Sequence, residues 1–63
     1  MKLIKVSKKF GDSDSGRFNT HYINVDHIVD VYEWSNATVI VLSTGEKVEC
    51  FEVLNNILGQ IKE

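Results

Sequence analysis

The strongest constraint on this chain is the stretch from Ile23 to Phe51, INVDHIVDVYEWSNATVIVLSTGEKVECF. It reads as three short strands joined by two tight turns. At its centre, Ala37 to Thr44 holds an unbroken run of β-branched or apolar residues, Thr38, Val39, Ile40, Val41 and Leu42. Successive side chains in a strand point to opposite faces, so such a run needs cover on both sides. A central strand is therefore expected, with a helix as one cover and the N-terminal arm or a second subunit as the other. Ser35-Asn36 is a two-residue turn in which Asn tolerates the positive φ that hairpins need. Ser43-Thr44-Gly45-Glu46 forms the second turn, with Gly45 at the position other residues resist.

On the strand before the centre, Ile28 to Trp34, Val29 and Val31 share one face and Tyr32 and Trp34 the other. The Val29/Val31 face is the better core candidate. Tyr32 and Trp34 then either pack under the N-terminal arm or stand partly exposed as a contact surface, since aromatics half in water often mark one. On the strand after the centre, Val48 and Cys50 point inward and Lys47 and Glu49 outward. Cys50 is accordingly a small buried hydrophobe rather than a nucleophile.

The flanks add one hairpin and one helix. Lys2 to Phe10 alternates, with Ile4, Val6 and Phe10 on one face, which argues a half-buried strand. Gly11 to Gly16 is a loop by composition. Its Asp12-Ser13-Asp14 opens like a calcium loop, but Arg17 and Ile23 stand where the required Gly and Glu would be. Phe18 to Val25 is the returning strand. Its apolar parity switches from Phe18 and Tyr22 to Ile23 and Val25, which predicts a bulge or bend, with Asp26 capping the turn that follows. Glu52 to Lys62 predicts a helix whose stripe is Val53, Leu54, Ile57, Leu58 and Ile61, with Asn55, Asn56, Gln60 and Lys62 opposite. Gly59 weakens it by about 1 kcal/mol relative to Ala, so fraying is expected there.

Sixty-three residues make one domain with a small core. No stretch reaches the roughly 20 apolar residues of a membrane span. The N-terminus, broken by Lys5, Lys8 and Lys9, does not read as an export signal, and the lone cysteine suits a reducing compartment, so a cytoplasmic protein is expected. Residues 1–17 carry Lys2, Lys5, Lys8, Lys9 and Arg17 against Asp12 and Asp14, a balance of +3; residues 18–63 carry Lys47 and Lys62 against seven acids, a balance of −5. A nucleic-acid binder usually shows a basic face. Here only the first arm is basic, and Lys5 and Lys9 share a strand parity that Lys2 and Lys8 oppose. His21, His27, Cys50 and the acids show no metal-ligand spacing and no nucleophile–base arrangement. A chain this short also leaves little room for a pocket of roughly 300 Å³. No enzyme activity, cofactor or metal is expected.

Residues 23–52 resemble the small FlbD/SwrD-type flagellar and swarming-motility proteins. The matching residues are Ile23-Asn24-Val25-Asp26-His27-Ile28 with Val31, then Thr38-Val39-Ile40-Val41-Leu42-Ser43-Thr44-Gly45-Glu46-Lys47, then Glu52. The same segment is similar to the front half of a LytTR-type DNA-binding domain. The resemblance implies a small bacterial or phage protein in which short strands precede a helix.

The expected fold is α+β: an antiparallel sheet of four to five strands with one C-terminal helix packed on one face. One helix covers one face of a sheet, and the second face is left to a partner. The expected function is non-enzymatic, a small interaction or regulatory protein acting through self-association, as a homodimer, or through a protein partner at Tyr32 and Trp34. The alternative is a nucleic-acid-binding module using Lys2, Lys5, Lys8, Lys9 and Arg17.

Overall fold

The computed structural model describes residues 2–10 and 16–63; Asp12 and Asp14 lie outside the described residues. The chain forms β1 (Leu3–Lys9), β2 (Phe18–Asn24), a single 3-10 turn (Val25–His27), β3 (Ile28–Trp34), β4 (Ala37–Leu42), β5 (Lys47–Cys50) and α1 (Leu54–Lys62). The five strands make one antiparallel sheet in the order β2-β1-β5-β4-β3. With α1 packed against it, the architecture is the expected α+β arrangement.

The order has a geometric consequence. β2 and β3 are consecutive in the chain, separated by three residues, yet they lie at opposite edges of the sheet. The sheet must coil until those edges meet at the Val25–His27 turn. Twist of the right hand is intrinsic to strands, and the turn holds it. The amide of Val25 donates to the Lys2 carbonyl at 2.9 Å, and that of Ser43 donates to the His27 carbonyl at 2.7 Å. The side chain of Asn24, not Asp26, caps the turn, accepting from the Asp26 amide at 3.0 Å.

The hollow of the coiled sheet holds the core: Ile4, Val6, Ile23, Ile40, Val48, Cys50 and, from the helix, Ile57. Val25, Ile28, Val31, Leu42 and Ile61 pack around them. Helix α1 contributes the buried plug, lying between β1 and β3. Thr38 is also buried, and its hydroxyl donates to the Glu52 carbonyl at 2.7 Å, which removes the cost of burying an unpaired polar group.

Three expectations are corrected. β2 runs in unbroken register with β1, from Leu3 opposite Asn24 to Lys9 opposite Phe18. The parity switch in β2 is not a bulge; Phe18 and Tyr22 simply stand on the outer, exposed face. The irregularity lies in β3, between Ile28 and Asp30. It breaks strict alternation, so Val31 joins the core while Val29 is turned out, 65% exposed. The helix begins at Leu54, two residues later than the expected Glu52, and runs through Gly59 to Lys62 without breaking.

Position four of five in the sheet explains why β4 is apolar throughout, but its two covers differ in kind. Inside, the core and helix cover Thr38 and Ile40. Outside, among the described residues, no further element lies over it; neighbouring side chains on the same sheet face provide the shielding.

The β1 edge is completed in an unusual way. β5 pairs with β1 only near Lys8 and Cys50, with the Phe51 amide donating to the Ser7 carbonyl at 3.1 Å. Beyond that point the chain turns away, and side chains take over the ladder. The Ser7 amide donates to Glu52 Oε1 at 2.8 Å, and the Ser7 hydroxyl donates to Glu52 Oε2 at 2.8 Å. The Lys5 amide donates to Gln60 Oε1 at 2.9 Å, while Gln60 Nε2 donates to the Lys5 carbonyl at 3.0 Å and to Asn56 Oδ1 at 2.9 Å. The carboxamide of Gln60 thus stands in for a peptide group of a neighbouring strand. Lys2 Nζ closes the run by donating to the Ile61 carbonyl at 2.8 Å, where a cation suits the C-terminal end of the helix. Glu52, Asn56 and Gln60 recur every four residues; Gln60, expected opposite the apolar stripe, instead bonds β1, while Asn56 is exposed and only steadies the Gln60 carboxamide.

Burial alone would raise the Glu52 carboxyl; the Ser7 amide and hydroxyl outweigh it and hold the group below its ordinary value of 4.5. A carboxylate depressed on folding stabilises the fold fully above its unfolded value, and the contribution is lost as pH falls through the folded value. Thermal midpoints should therefore fall as pH drops below 4.5, and the acid loss should be smaller in Glu52→Gln, which keeps an acceptor for the Ser7 amide. Glu52→Ala should cost about 1–3 kcal/mol at neutral pH, measured by urea unfolding.

The Ser35–Asn36 hairpin turn places both residues at positive φ, 53° and 64°, the mirror-image turn that matches strand twist. Ser35→Gly should raise stability by up to about 1 kcal/mol, read as a higher thermal midpoint.

Candidate interaction surface

The ladder registers map the outer face of the sheet row by row. Tyr32, Val39 and Glu49 stand side by side across β3, β4 and β5; Asp30, Val41 and Lys47 form the next row, and Trp34 stands beside Ala37. Trp34 is 66% exposed, whereas Val39 beside it is only 7% exposed. The valine is covered by its row neighbours. Tyr32, Trp34, Val39, Lys47 and Glu49 line a shallow hollow of about 420 Å³. An indole edge, a phenol, an apolar floor and one charge of each sign are the makings of a protein contact. Among the described residues, the N-terminal arm does not cover these aromatics, because β5 and β4 separate β1 from β3.

The basic residues of the arm do not converge. Lys2 is tied to the helix terminus. Lys8 points to the inner side of the sheet and pairs with Glu46 at 3.3 Å. Lys9 lies on the outer face with its ammonium 4.7 Å from the centre of the Phe51 ring, a cation–π contact. Lys5 is exposed on the same face as Lys9, and Arg17 is exposed and has an interaction of its own. Sequence reasoning missed the aromatic residues around Lys9. Phe18 and Phe51 meet edge to face at 5.7 Å. They lie far apart in sequence, and only the β1–β5 pairing brings them together.

A second concavity opens at the mouth of the coiled sheet. It measures about 380 Å³ and is lined by Lys8, His21, His27, Ser43, Glu46 and Val48 among others. The expectation that so short a chain leaves little room for such a cleft is thus corrected. The space arises because β2 and β3 meet only at the Val25–His27 turn, leaving one end of the coil open. Ser43 Oγ lies 3.4 Å from His27 Nδ1, at the long limit of a hydrogen bond. Glu46, the acid lining this cleft, is engaged by Lys8. Among the described residues, no group of three or more His, Cys, Asp or Glu side chains is placed to hold a metal, and no helix is long and apolar enough to cross a membrane.

Cys50 lies fully buried in the core. Burial, with Glu52 and Glu49 nearby, pushes its thiol up to about 11, so at neutral pH the nucleophilic thiolate is scarce. A thiol reagent should leave Cys50 untouched in the native protein and label it at the rate of unfolding, followed by mass spectrometry.

Comparison of the chain with protein-family models, curated proteins and solved structures finds no match. The likeness of residues 23–52 to the FlbD/SwrD-type motility proteins therefore rests on those residues alone.

Proposed function

We propose that this chain is a small non-enzymatic interaction protein that binds a protein partner through the Tyr32–Trp34 face of its sheet. The observation that carries the reading is Trp34 itself, the largest side chain in the protein, left two-thirds in water beside a shielded apolar floor. Burying such an aromatic in a partner's pocket is the usual source of binding energy at protein contacts. Tyr32 widens the contact with a polar tip, and Lys47 and Glu49 supply a charged rim that sets orientation rather than affinity.

The test is affinity capture from lysate of the source cell, with and without nuclease, using wild type, Trp34→Ala and Tyr32→Ala. A protein retained by wild type after nuclease should be lost with Trp34→Ala, its affinity weakened tenfold or more, the scale of a central aromatic anchor. Because Trp34 is the single tryptophan, its emission should shift to the blue when the purified partner binds. Retention unchanged by both substitutions would refute the assignment of this face.

A second reading has one observation in its favour. Lys5 and Lys9 share the outer face with exposed Phe18, Tyr22 and Phe51, and aromatics interleaved with cations form stacking platforms for single-stranded nucleic acid. That reading predicts oligonucleotide binding that falls steeply with salt and weakens in Lys9→Ala. No binding at low salt would eliminate it.

A further inference from the structure

We propose that β2 is a self-pairing edge: two copies of this chain join antiparallel, β2 against β2, about a two-fold axis through Thr20. This goes beyond the partner-binding face on β3, which lies at the opposite edge of the sheet, and the two assignments fail independently.

The direction of the backbone groups follows from the register. Phe10 donates its amide to the Arg17 carbonyl and Val25 to the Lys2 carbonyl. Bonded and non-bonded pairs alternate in an antiparallel ladder. Ile4/Ile23, Val6/His21 and Lys8/Asn19 are therefore the bonded pairs, and the amides and carbonyls of Phe18, Thr20 and Tyr22 point away from β1. The same alternation points Lys5 and Ser7 of β1 away from β2, where Phe51, Glu52 and the helix residue Gln60 meet them. On the β1 side every such group has a partner; on the β2 side, among the described residues, none does.

The two free edges of the sheet are not alike. β3 carries Asp30 and Glu33 and an irregularity between Ile28 and Asp30, all devices that discourage strand addition. β2 has none of them. Phe18–Asn24, FNTHYIN, contains no proline, no acid, no Lys or Arg and no bulge over seven residues. An edge this long and unguarded pairs with another strand.

The occupant is written in the sequence of the edge. The segment Phe18-Asn19-Thr20-His21-Tyr22 is self-complementary about Thr20: aromatic, polar, Thr, polar, aromatic. Antiparallel pairing about that centre sets Thr20 against Thr20, Phe18 against Tyr22 and Asn19 against His21 of the second copy. The outward-pointing residues Phe18, Thr20 and Tyr22 fall in bonded positions, each pair exchanging two hydrogen bonds. Aromatic pairs and Thr–Thr pairs are favourable directly across a ladder, and no like charges face each other. Phe18 and Tyr22, 52% and 63% exposed in the single chain, gain cover. The contact is isologous, so it closes at two copies. A contact of one strand edge falls at the small end of protein interfaces, so the dimer is concentration-dependent rather than permanent.

Sedimentation velocity across micromolar to millimolar protein tests this, with circular dichroism as the check on folding. Wild type should shift from monomer to dimer. Thr20→Lys sets two ammonium groups against each other on the axis and should weaken dimerisation by roughly tenfold or more. Thr20→Pro removes an outward-pointing amide that β1 does not use, a change edge strands tolerate, and should do the same. Trp34→Ala should dimerise as wild type does. A wild type that stays monomeric throughout, or a folded Thr20→Lys that dimerises undiminished, would overturn the proposal. If Thr20→Pro unfolds, Thr20→Lys decides alone.

Discussion

The open edge of β1 is the constraint on which the rest of the structure depends. A strand in the interior of a sheet needs hydrogen-bond partners on both sides, and an unsatisfied buried group costs about 1–3 kcal/mol. β5 is only four residues long and serves β1 at one end. The deficit is met by Phe51 and Glu52, which follow β5 and bond Ser7, and by Gln60 of the helix on Lys5. This polar seam orients the helix so that Ile57 enters the hollow of the sheet. Without the seam, a nine-residue helix is too short to persist. Without the helix, the hollow lacks its plug. Packing and hydrogen bonding are thus coupled through one short segment.

The same arrangement decides which surfaces are left for other molecules. The helix and the polar seam take up the β1 edge and the inner side of the sheet except for the cleft at the open mouth of the coil. Besides that cleft, what remains is the outer face and the two outermost strands. On the outer face the aromatic residues gather in two places, Tyr32 with Trp34 on β3, and Phe18 with Phe51 across β2 and the end of β5. At the edges, β3 is guarded by acids and an irregularity, while β2 is bare. With so small a core, eight large apolar side chains, Trp34, Tyr22 and Phe18 among them, stay exposed on the described surface.

Much of this was legible in the residues. The unbroken apolar run at Thr38–Leu42 signalled an interior strand, the Ser35-Asn36 pair a mirror-image turn, and the Ile57 stripe a covering helix. Local alternation and turn chemistry carry those signals, and they need no knowledge of distant partners. The exposure of Val29 was hidden, because the break between Ile28 and Asp30 leaves no mark in composition. The role of Glu52 and Gln60 was hidden too. Their spacing every four residues is visible, but it looks the same whether a polar stripe meets water or a strand edge. Phe18 and Phe51 were unremarkable until the β1–β5 pairing placed them side by side, and the cleft depends on the coiling of the whole sheet, which only the strand order reveals.

The most direct test of this account is native-state hydrogen exchange at the amides of Lys5 and Ser7. Each has a side-chain acceptor rather than a strand partner, Gln60 for one and Glu52 for the other. If Glu52 and the helix residue Gln60 complete the sheet, both amides exchange slowly, as slowly as those of Ile4 and Val6, which sit in the β1–β2 ladder. Fast exchange at Lys5 and Ser7, with Ile4 and Val6 still protected, would mean that the seam is open in solution and that the helix is held by its apolar stripe alone.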